Sequence, residues 1–384
     1  MCFLIFVPRN MAGIYVHIPF CKGKCIYCDF YSVGRLSLAE QYVERVLAEA
    51  QSRRAELAGE TIRTLYVGGG TPSVLTVSQM SRLLGGLGEV FDLSQIEELT
   101  VEANPDDITA EFVSGLVELG VNRLSMGVQS FVDEELRLLR RRHDANDAVK
   151  AVEICRDNGI QNVSLDLIYG IPGQTMESWR ESIAKALSMG VEHISAYSLT
   201  YESGTALDVM VKDGRLKPLP DETCIAMMNE LVNQLNAAGY EHYEISNFAK
   251  PGYRSRHNSS YWDRTPYLGL GAAAHSLLPG GVRRWNEADI RKYLQSQGDV
   301  PHGIETLETR DCYNEDVMLG LRTHEGVSVQ AIQENYGERY RLNFEQQAAQ
   351  FVKSGLMAAD AGRYHLTERG VAVSDMVIRE FFEV

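Results

Sequence analysis

The chain of 384 residues is 45% hydrophobic and 23% charged, an ordinary globular composition whose length suits two or three domains. A formal net charge of −15 argues against a nucleic-acid surface as the main function, because phosphate contacts need clustered Lys and Arg, and local basic runs such as Arg140-Arg141-Arg142-His143 are short. Seven cysteines, an odd number with three in one loop, are no disulfide framework and fit a reducing, cytoplasmic setting.

Residues 1–10 read as an extension ahead of a second candidate start at Met11: no basic residue precedes the apolar run Cys2 to Val7 and no small-residue cleavage site follows it, unlike a signal peptide. No segment approaches the ~18–20 apolar residues that span a bilayer, so membrane contact would be peripheral. A strand is expected from Ile14 to Pro19, followed at once by Cys21, Cys25 and Cys28 in the spacing C-x3-C-x2-C. Ser37 and Glu40 have the spacing of a capping box for a helix that carries Tyr42, Val43, Val46, Leu47 and Ala50 on one face and stops at Gly59. The strand Leu65-Tyr66-Val67 runs into Gly68-Gly69-Gly70-Thr71-Pro72, and a helix follows over Val77 to Val90. Leu99 to Glu102 is a strand ending at Asn104-Pro105, with a helix from Ala110 to Leu119. Arg123 to Val128 is a strand ending at Gln129, with helices around 134–139 and 145–158. Val163 to Tyr169 ends in Gly170-Ile171-Pro172-Gly173 before a helix over Glu177 to Met189, and His193 to Leu199 ends at Thr200-Tyr201-Glu202.

These are six β-then-α units whose strands are apolar with little alternation, as in a parallel sheet covered by helices on both faces. Right-handed crossovers curl such units into an open, partial (β/α)6 barrel, an α/β fold whose functional groups collect at the C-terminal ends of the strands. The cysteines, the glycine run, Glu102, Gln129, Asp166 and Glu202 all fall at such ends, which predicts one site at one barrel mouth.

Beyond the barrel the pattern changes. Asp221 to Ala238 reads as one helix with Cys224, Met227, Leu231 and Leu235 in a stripe, Tyr240 to Phe248 as a short strand region, and Arg254 to Trp262 as a basic, aromatic loop. The small-residue turn Gly269 to Ser276 permits close approach of backbone or ligand. From Asp311 helical spacing returns, and Tyr364-His365-Leu366 precedes a last helix over Glu368 to Phe382. Helices with a small hairpin resemble a winged helix; with acidic and basic residues balanced there, the segment reads as a packing module rather than a DNA reader.

Three thiolates on a loop held open by Gly23 cannot all enter an apolar core, and they converge as the ligands of a soft-metal or iron–sulfur site. Zinc usually takes four closed ligands with paired spacing, and no second close Cys or His pair exists, so a three-thiolate cluster with one open iron is favoured. The glycine run lacks both the GxGxxG spacing of a dinucleotide fold and the GK[ST] of a P-loop; alone it is a tight turn. Glu102 alone is a solvated loop carboxylate, and a lone histidine such as His257 is more often a hydrogen-bonded structural residue than a ligand.

C-x3-C-x2-C followed by an aromatic resembles the signature of the radical S-adenosylmethionine (SAM) enzymes, and the match extends from Tyr15 to about Tyr201. The resemblance implies a [4Fe-4S] cluster on Cys21, Cys25 and Cys28, whose open iron is chelated by SAM and whose electron cleaves the sulfonium to a 5′-deoxyadenosyl radical. It implies that Gly69, Gly70 and Thr71 hydrogen-bond the SAM amino group through their backbone, that Glu102 binds SAM, and that Gln129, Arg141 and Asp166 line its pocket. Tyr15 and Tyr27, beside the cysteines, are placed to pack on the adenine or shield the cluster, or to be core aromatics.

A second stretch, His257-Asn258-Ser259-Ser260-Tyr261-Trp262, resembles the HNxxYW motif of the HemW-type heme chaperones, relatives of the oxygen-independent coproporphyrinogen III oxidases. An imidazole, aromatic faces and two adjacent arginines are what a heme would need, so the resemblance makes His257 a candidate heme ligand. The oxidase family has a fourth cysteine two residues after the third and a longer segment before the cluster; here Phe30 stands at that place and twenty residues precede Cys21. The chain therefore reads as a HemW-like heme chaperone, with coproporphyrinogen III oxidation as the alternative and radical chemistry on another substrate as a third. The resemblance further implies heme as cargo, heme-accepting membrane proteins as recipients, an electron donor for the cluster, and dimerisation or transfer under the control of cluster and SAM. The expected organisation is an extension over 1–10, a radical SAM domain over 11–240, a connecting segment with the HNxxYW motif over 241–305, and a helical, winged-helix-like domain over 306–384.

Overall fold

The computed structural model describes residues 11–383; the expected extension over 1–10 lies outside the described residues. Six strands, β1 (Met11–Ile18), β2 (Thr61–Gly69), β3 (Glu98–Ala103), β4 (Arg123–Gln129), β5 (Asn162–Tyr169) and β6 (His193–Ser198), lie side by side in chain order, every neighbouring pair parallel. Between them run α1 (Ala39–Arg53), α2 (Val77–Val90), α3 (Ala110–Glu118), α4 (Asp133–Leu138), α5 (Ala145–Asp157) and α6 (Met176–Ser188). This is the partial (β/α)6 barrel expected from the sequence. Ile14, Val16, Leu65, Val67, Val101, Leu124, Val163, Leu165 and Ile194 are buried between sheet and helices in one continuous core.

Helix starts follow side-chain chemistry, though not always where spacing pointed. Thr76 with Gln79, Asp144 with Asp147 and Thr175 with Ser178 close reciprocal capping boxes at the starts of α2, α5 and α6. The box expected at Ser37 and Glu40 does not form. Residues 36–38 make a 3-10 turn instead, and Leu38, without a side-chain acceptor, precedes α1.

The expected connecting segment over 241–305 is woven into the same sheet. After α7 (Ala206–Lys212) and α8 (Asp221–Ala237), the hairpin β7 (Glu241–Glu244) and β8 (Asn247–Ala249) pairs antiparallel with β6. Then α9 (Arg256–Trp262) leads to β9 (Tyr267–Leu270), parallel to β1, and β10 (His275–Leu278), β11 (Val282–Asn286) and β12 (His302–Thr306) extend that edge antiparallel, with α10 (Ile290–Gln295) between the last two. Among the described residues the result is one sheet of twelve strands. Strands of three to five residues carry too few alternations to declare themselves in sequence. Nor is Arg256–Trp262 a loop: Ser255 caps it, and the Glu98 carboxylate accepts from the amides of Arg256 (2.9 Å) and His257 (3.0 Å), a negative charge at the helix's positive end.

A buried ion pair ties the extension to the barrel. Arg53 donates to Glu49 (2.8 Å), to the Gly269 carbonyl (2.8 Å) and to Ser276 Oγ (3.0 Å). Glu49 in turn accepts from the Gly271 amide (2.9 Å), Asn286 (2.7 Å) and the Tyr293 hydroxyl (2.6 Å). The small residues of Gly269 to Ser276 let the turn come this close: a Cβ on Gly271 would meet the Tyr42 hydroxyl and the His17 carbonyl.

The C-terminal unit has its own core around Tyr313, Val317, Phe344, Met357 and Phe381. It comprises α11 (Thr309–Leu321), β13 (Val327–Ser328), α12 (Val329–Tyr336), α13 (Glu338–Ser354), β14 (Met357–Asp360) and β15 (Arg363–Leu366), the last two a hairpin in a three-stranded sheet. The expected last helix is two short ones, α14 (Glu368–Val371) and α15 (Ser374–Arg379). Among the described residues no helix is long and apolar enough to cross a membrane.

Candidate functional site

The C-terminal ends of β1 to β6 open into one cavity of about 490 Å³, lined by the cysteine loop, Gly69 to Thr71, Glu102, Gln129, Arg141, Asp166 and Glu202. The cysteine loop is held to the barrel at several points. The Cys21 amide donates to the Val33 carbonyl (3.2 Å) and the Val33 amide to Pro19 (2.7 Å). Ile26, between Cys25 and Cys28, is buried against Leu139, Ile168, Ile171, Leu199 and Leu207, so the loop has a hydrophobic root and leaves its thiols outside it. Cys21, Cys25 and Cys28 all line the cavity. Structural zinc takes four closed ligands, whereas three thiols on one loop at an open cavity suit an iron–sulfur cluster with one iron left open. Arg141 donates to Cys25 Sγ (3.2 Å) and, through its other nitrogen, to Asn104 and the Gly127 carbonyl, bringing a fixed positive charge to the thiols.

The glycine run is more than a tight turn. Gly69 has φ +109°, and a Cβ there would fall on the His17 ring. Gly70 donates to the Ile18 carbonyl (2.9 Å), and a Cβ on it would sit 2.8 Å from the carbonyls of Ile18 and Phe20. The backbone therefore passes directly beside the cysteine loop, and Cys21 Sγ lies 3.3 Å from Thr71 Oγ1. Glu102 is aimed from behind: it accepts from the Tyr66 hydroxyl (2.7 Å) and from the Gly69 amide (3.0 Å). Burial raises the Glu102 carboxyl above its ordinary value, with those two hydrogen bonds opposing. Asp166 is pushed up to about 7, first by burial and then by the charge of Glu102, against a hydrogen bond from Ser195. Two carboxylates at the pocket floor thus share one desolvated region. Gln129 ends β4 in the left-handed region (φ 72°), an unusual backbone for a non-glycine residue.

Tyr27 lines the cavity, with burial raising its hydroxyl well above the ordinary value. Tyr15 does not line it. It stands three residues before the end of β1, stacked on Tyr66 (6.1 Å between ring centroids), and its hydroxyl contacts His17 Nδ1 (3.1 Å). His257 is further still from the mouth, opposite Gly13 and Thr64 in the lower barrel. It is 1% exposed, with Nδ1 2.8 Å from Thr64 Oγ1 and Nε2 3.0 Å from the Tyr261 hydroxyl. In this conformation neither ring nitrogen is open to an iron. Burial, reinforced by the charge of Arg123, lowers its pKa to about 3, so the imidazole is neutral. Phe30 sits at the rim, 63% exposed.

Several lining residues were not assigned to the site from the sequence: Lys22, Asn104, Ser125, Tyr197, Ser198 and Thr200. Asn104 stands two residues after Glu102, and Tyr197 and Ser198 at the end of β6, so strand-end position was the available signal. Lys22 pairs with Asp107 (2.6 Å), a contact between two loops that no local pattern announces.

The radical SAM superfamily model matches residues 15–186, and the HemN C-terminal domain model matches residues 307–373. The chain is 36% identical to the heme chaperone HemW of Lactococcus lactis, covering 96% of each chain. It is 36% identical to that of Bacillus subtilis, over 97% of this chain and 99% of the relative. Among solved structures, coproporphyrinogen III oxidase (HemN) from Escherichia coli, a radical SAM enzyme, superposes with a TM-score of 0.84 at 25% identity, over 97% of this chain and 89% of that one. With its cysteine loop, glycine run and carboxylates gathered at one barrel mouth, the chain belongs to the radical SAM superfamily and, within it, to the HemW family.

Proposed function

We propose that this protein is a heme chaperone that holds a [4Fe-4S] cluster on Cys21, Cys25 and Cys28 and SAM in the adjoining cavity, and that delivers heme to heme-dependent membrane proteins. The observation that carries the cofactor half is the convergence of the three thiols, Gly69, Gly70, Thr71, Glu102, Gln129, Arg141 and Asp166 on one cavity. When bound, cluster and SAM together supply an electron and a reducible sulfonium. The chain's own part is to bind and orient. Backbone groups of Gly69 to Thr71 and the Glu102 carboxylate suit an ammonium and ribose hydroxyls, Asp166 and Gln129 add polar partners, and Arg141 offsets negative charge at the thiols. Tyr27 shields the cluster side of the cavity.

Heme as cargo rests on the near-full-length similarity to proteins named for that function. Membrane recipients, an electron donor, self-association as a homodimer and a cytoplasmic location with peripheral membrane contact belong to the same reading. The similarity to the HemN structure supports porphyrinogen oxidation as the alternative. Phe30 weighs against it, because an exposed phenyl ring cannot replace a thiol.

The deciding experiment is anaerobic reconstitution followed by heme titration, with coproporphyrinogen III turnover in the presence of SAM and reductant measured on the same sample. Heme binding without decarboxylated product is the expected result. Decarboxylation at catalytic rates would instead establish the oxidase.

A further inference from the structure

The HNxxYW segment is conspicuous in the sequence, yet its histidine is sealed inside the barrel, and the network around it leads toward the cavity. His257 lies against the Tyr66 ring (5.1 Å between centroids, 27° between planes) and the Tyr15 ring (6.4 Å). Thr64 and Tyr261 hold its two nitrogens, and the Glu98 carboxylate holds its backbone amide. Gly13 leaves room for it: a Cβ there would come within 3.1 Å of the imidazole and 2.8 Å of Thr64 Oγ1. The hydroxyl of Tyr66, whose ring packs on this imidazole, donates to Glu102. Glu102 also accepts from the Gly69 amide. A second route runs from Tyr15 to His17: the His17 Nε2–H donates to the Tyr31 carbonyl (3.1 Å), which leaves Nδ1 to accept from Tyr15, and the His17 ring lies against Gly69.

We propose that His257, clamped by Thr64 and Tyr261, is a positioning residue for the cavity floor: it fixes the Tyr66 ring, and through it the Glu102 carboxylate, from the far side of the barrel. The proposal rests on the reading that Glu102 takes part in SAM binding. To ligate a heme iron instead, His257 would have to break both nitrogen contacts and leave its place between Gly13 and Tyr66, against the cost of exposing buried polar partners.

The test measures SAM affinity of the anaerobically reconstituted full chain, read from the SAM-induced change in the EPR signal of the reduced cluster, for wild type, His257→Phe, Tyr66→Phe and the double variant. Each single change should weaken binding about tenfold, the effect of one or two lost hydrogen bonds, and the double variant should be no weaker than the worse single one rather than about hundredfold. Tyr261→Phe, which removes only the Nε2 partner, should act in the same direction and covers the case in which His257→Phe does not fold. A pH profile separates positioning from general loosening. Glu102 faces Tyr15, Tyr66, Arg123, Asp166, Tyr197 and Tyr261; of these Tyr66, by donating to it, and then Arg123, by its charge, lower its pKa. A displaced Tyr66 therefore moves the acid fall-off in SAM affinity to higher pH. Wild-type SAM affinity in the folded His257 or Tyr261 variant, additive losses in the double variant, or an unmoved acid limb would each overturn the inference. A wild-type protein that binds no SAM would overturn the cavity reading and the inference with it.

Discussion

Asp166 puts a number on what the cavity floor does to the fold. Its carboxyl is raised from 3.8 to about 7, chiefly by burial and next by Glu102. In the unfolded chain it ionises freely near pH 4, so between pH 4 and 7 the folded state holds a proton that the unfolded state has released. Its contribution to stability is therefore complete below the unfolded value and is lost as pH rises through about 7. From those two values the linkage gives a cost of about 2 kcal/mol at pH 5.5 and about 4 kcal/mol at pH 8. Asp166→Asn keeps the shape and removes the titration, so its stability relative to wild type should improve by about 2 kcal/mol between pH 5.5 and pH 8. Relief of Glu102 adds in the same direction. Urea unfolding of both proteins at the two pH values, without cluster or SAM, reads this difference directly, since titrations common to both cancel. A difference independent of pH, or one that moves against the variant at pH 8, would refute the electrostatic account of the floor. The same substitution should weaken SAM binding, which would make Asp166 a residue kept for the ligand at the expense of the fold.

Cys21→Ala, Cys25→Ala and Cys28→Ala should each abolish the cluster, and full iron and sulfide content in any of them would defeat the three-thiolate assignment. Gly69→Ala should reduce SAM affinity severely, because its φ of +109° and the His17 ring leave no place for a Cβ; isothermal titration with near wild-type affinity would contradict this. Arg53→Met should destabilise the protein by about 3–5 kcal/mol by stranding the buried Glu49 charge, and a denaturation midpoint close to wild type would show that the ion pair does not hold the added strands.

The barrel was legible because long, apolar strands and amphipathic helices repeat six times and every polar motif sits at a strand end. The cavity was legible for the same reason: once the strands are parallel, residues as far apart as Cys21 and Asp166 must meet at one mouth. The added strands were hidden by their brevity, and their attachment depends on Glu49 and Arg53, which read locally as an ordinary helical i,i+4 pair. Tyr15 looked adjacent to the cysteines in sequence, but its position three residues before the strand end places it below the cavity. His257 offered imidazole, aromatic and arginine chemistry in one short stretch, and only the tertiary structure shows that its partners are Thr64 and Tyr66, almost two hundred residues earlier.

Delivery of heme to a recipient is measured as transfer. The reconstituted protein, loaded with heme and incubated with membranes holding a heme-depleted respiratory enzyme, should restore that enzyme's activity faster than heme bound to serum albumin, while its own Soret absorbance falls in step. No advantage over albumin, together with decarboxylation of coproporphyrinogen III by the same preparation, would contradict the claim and make the protein an oxidase.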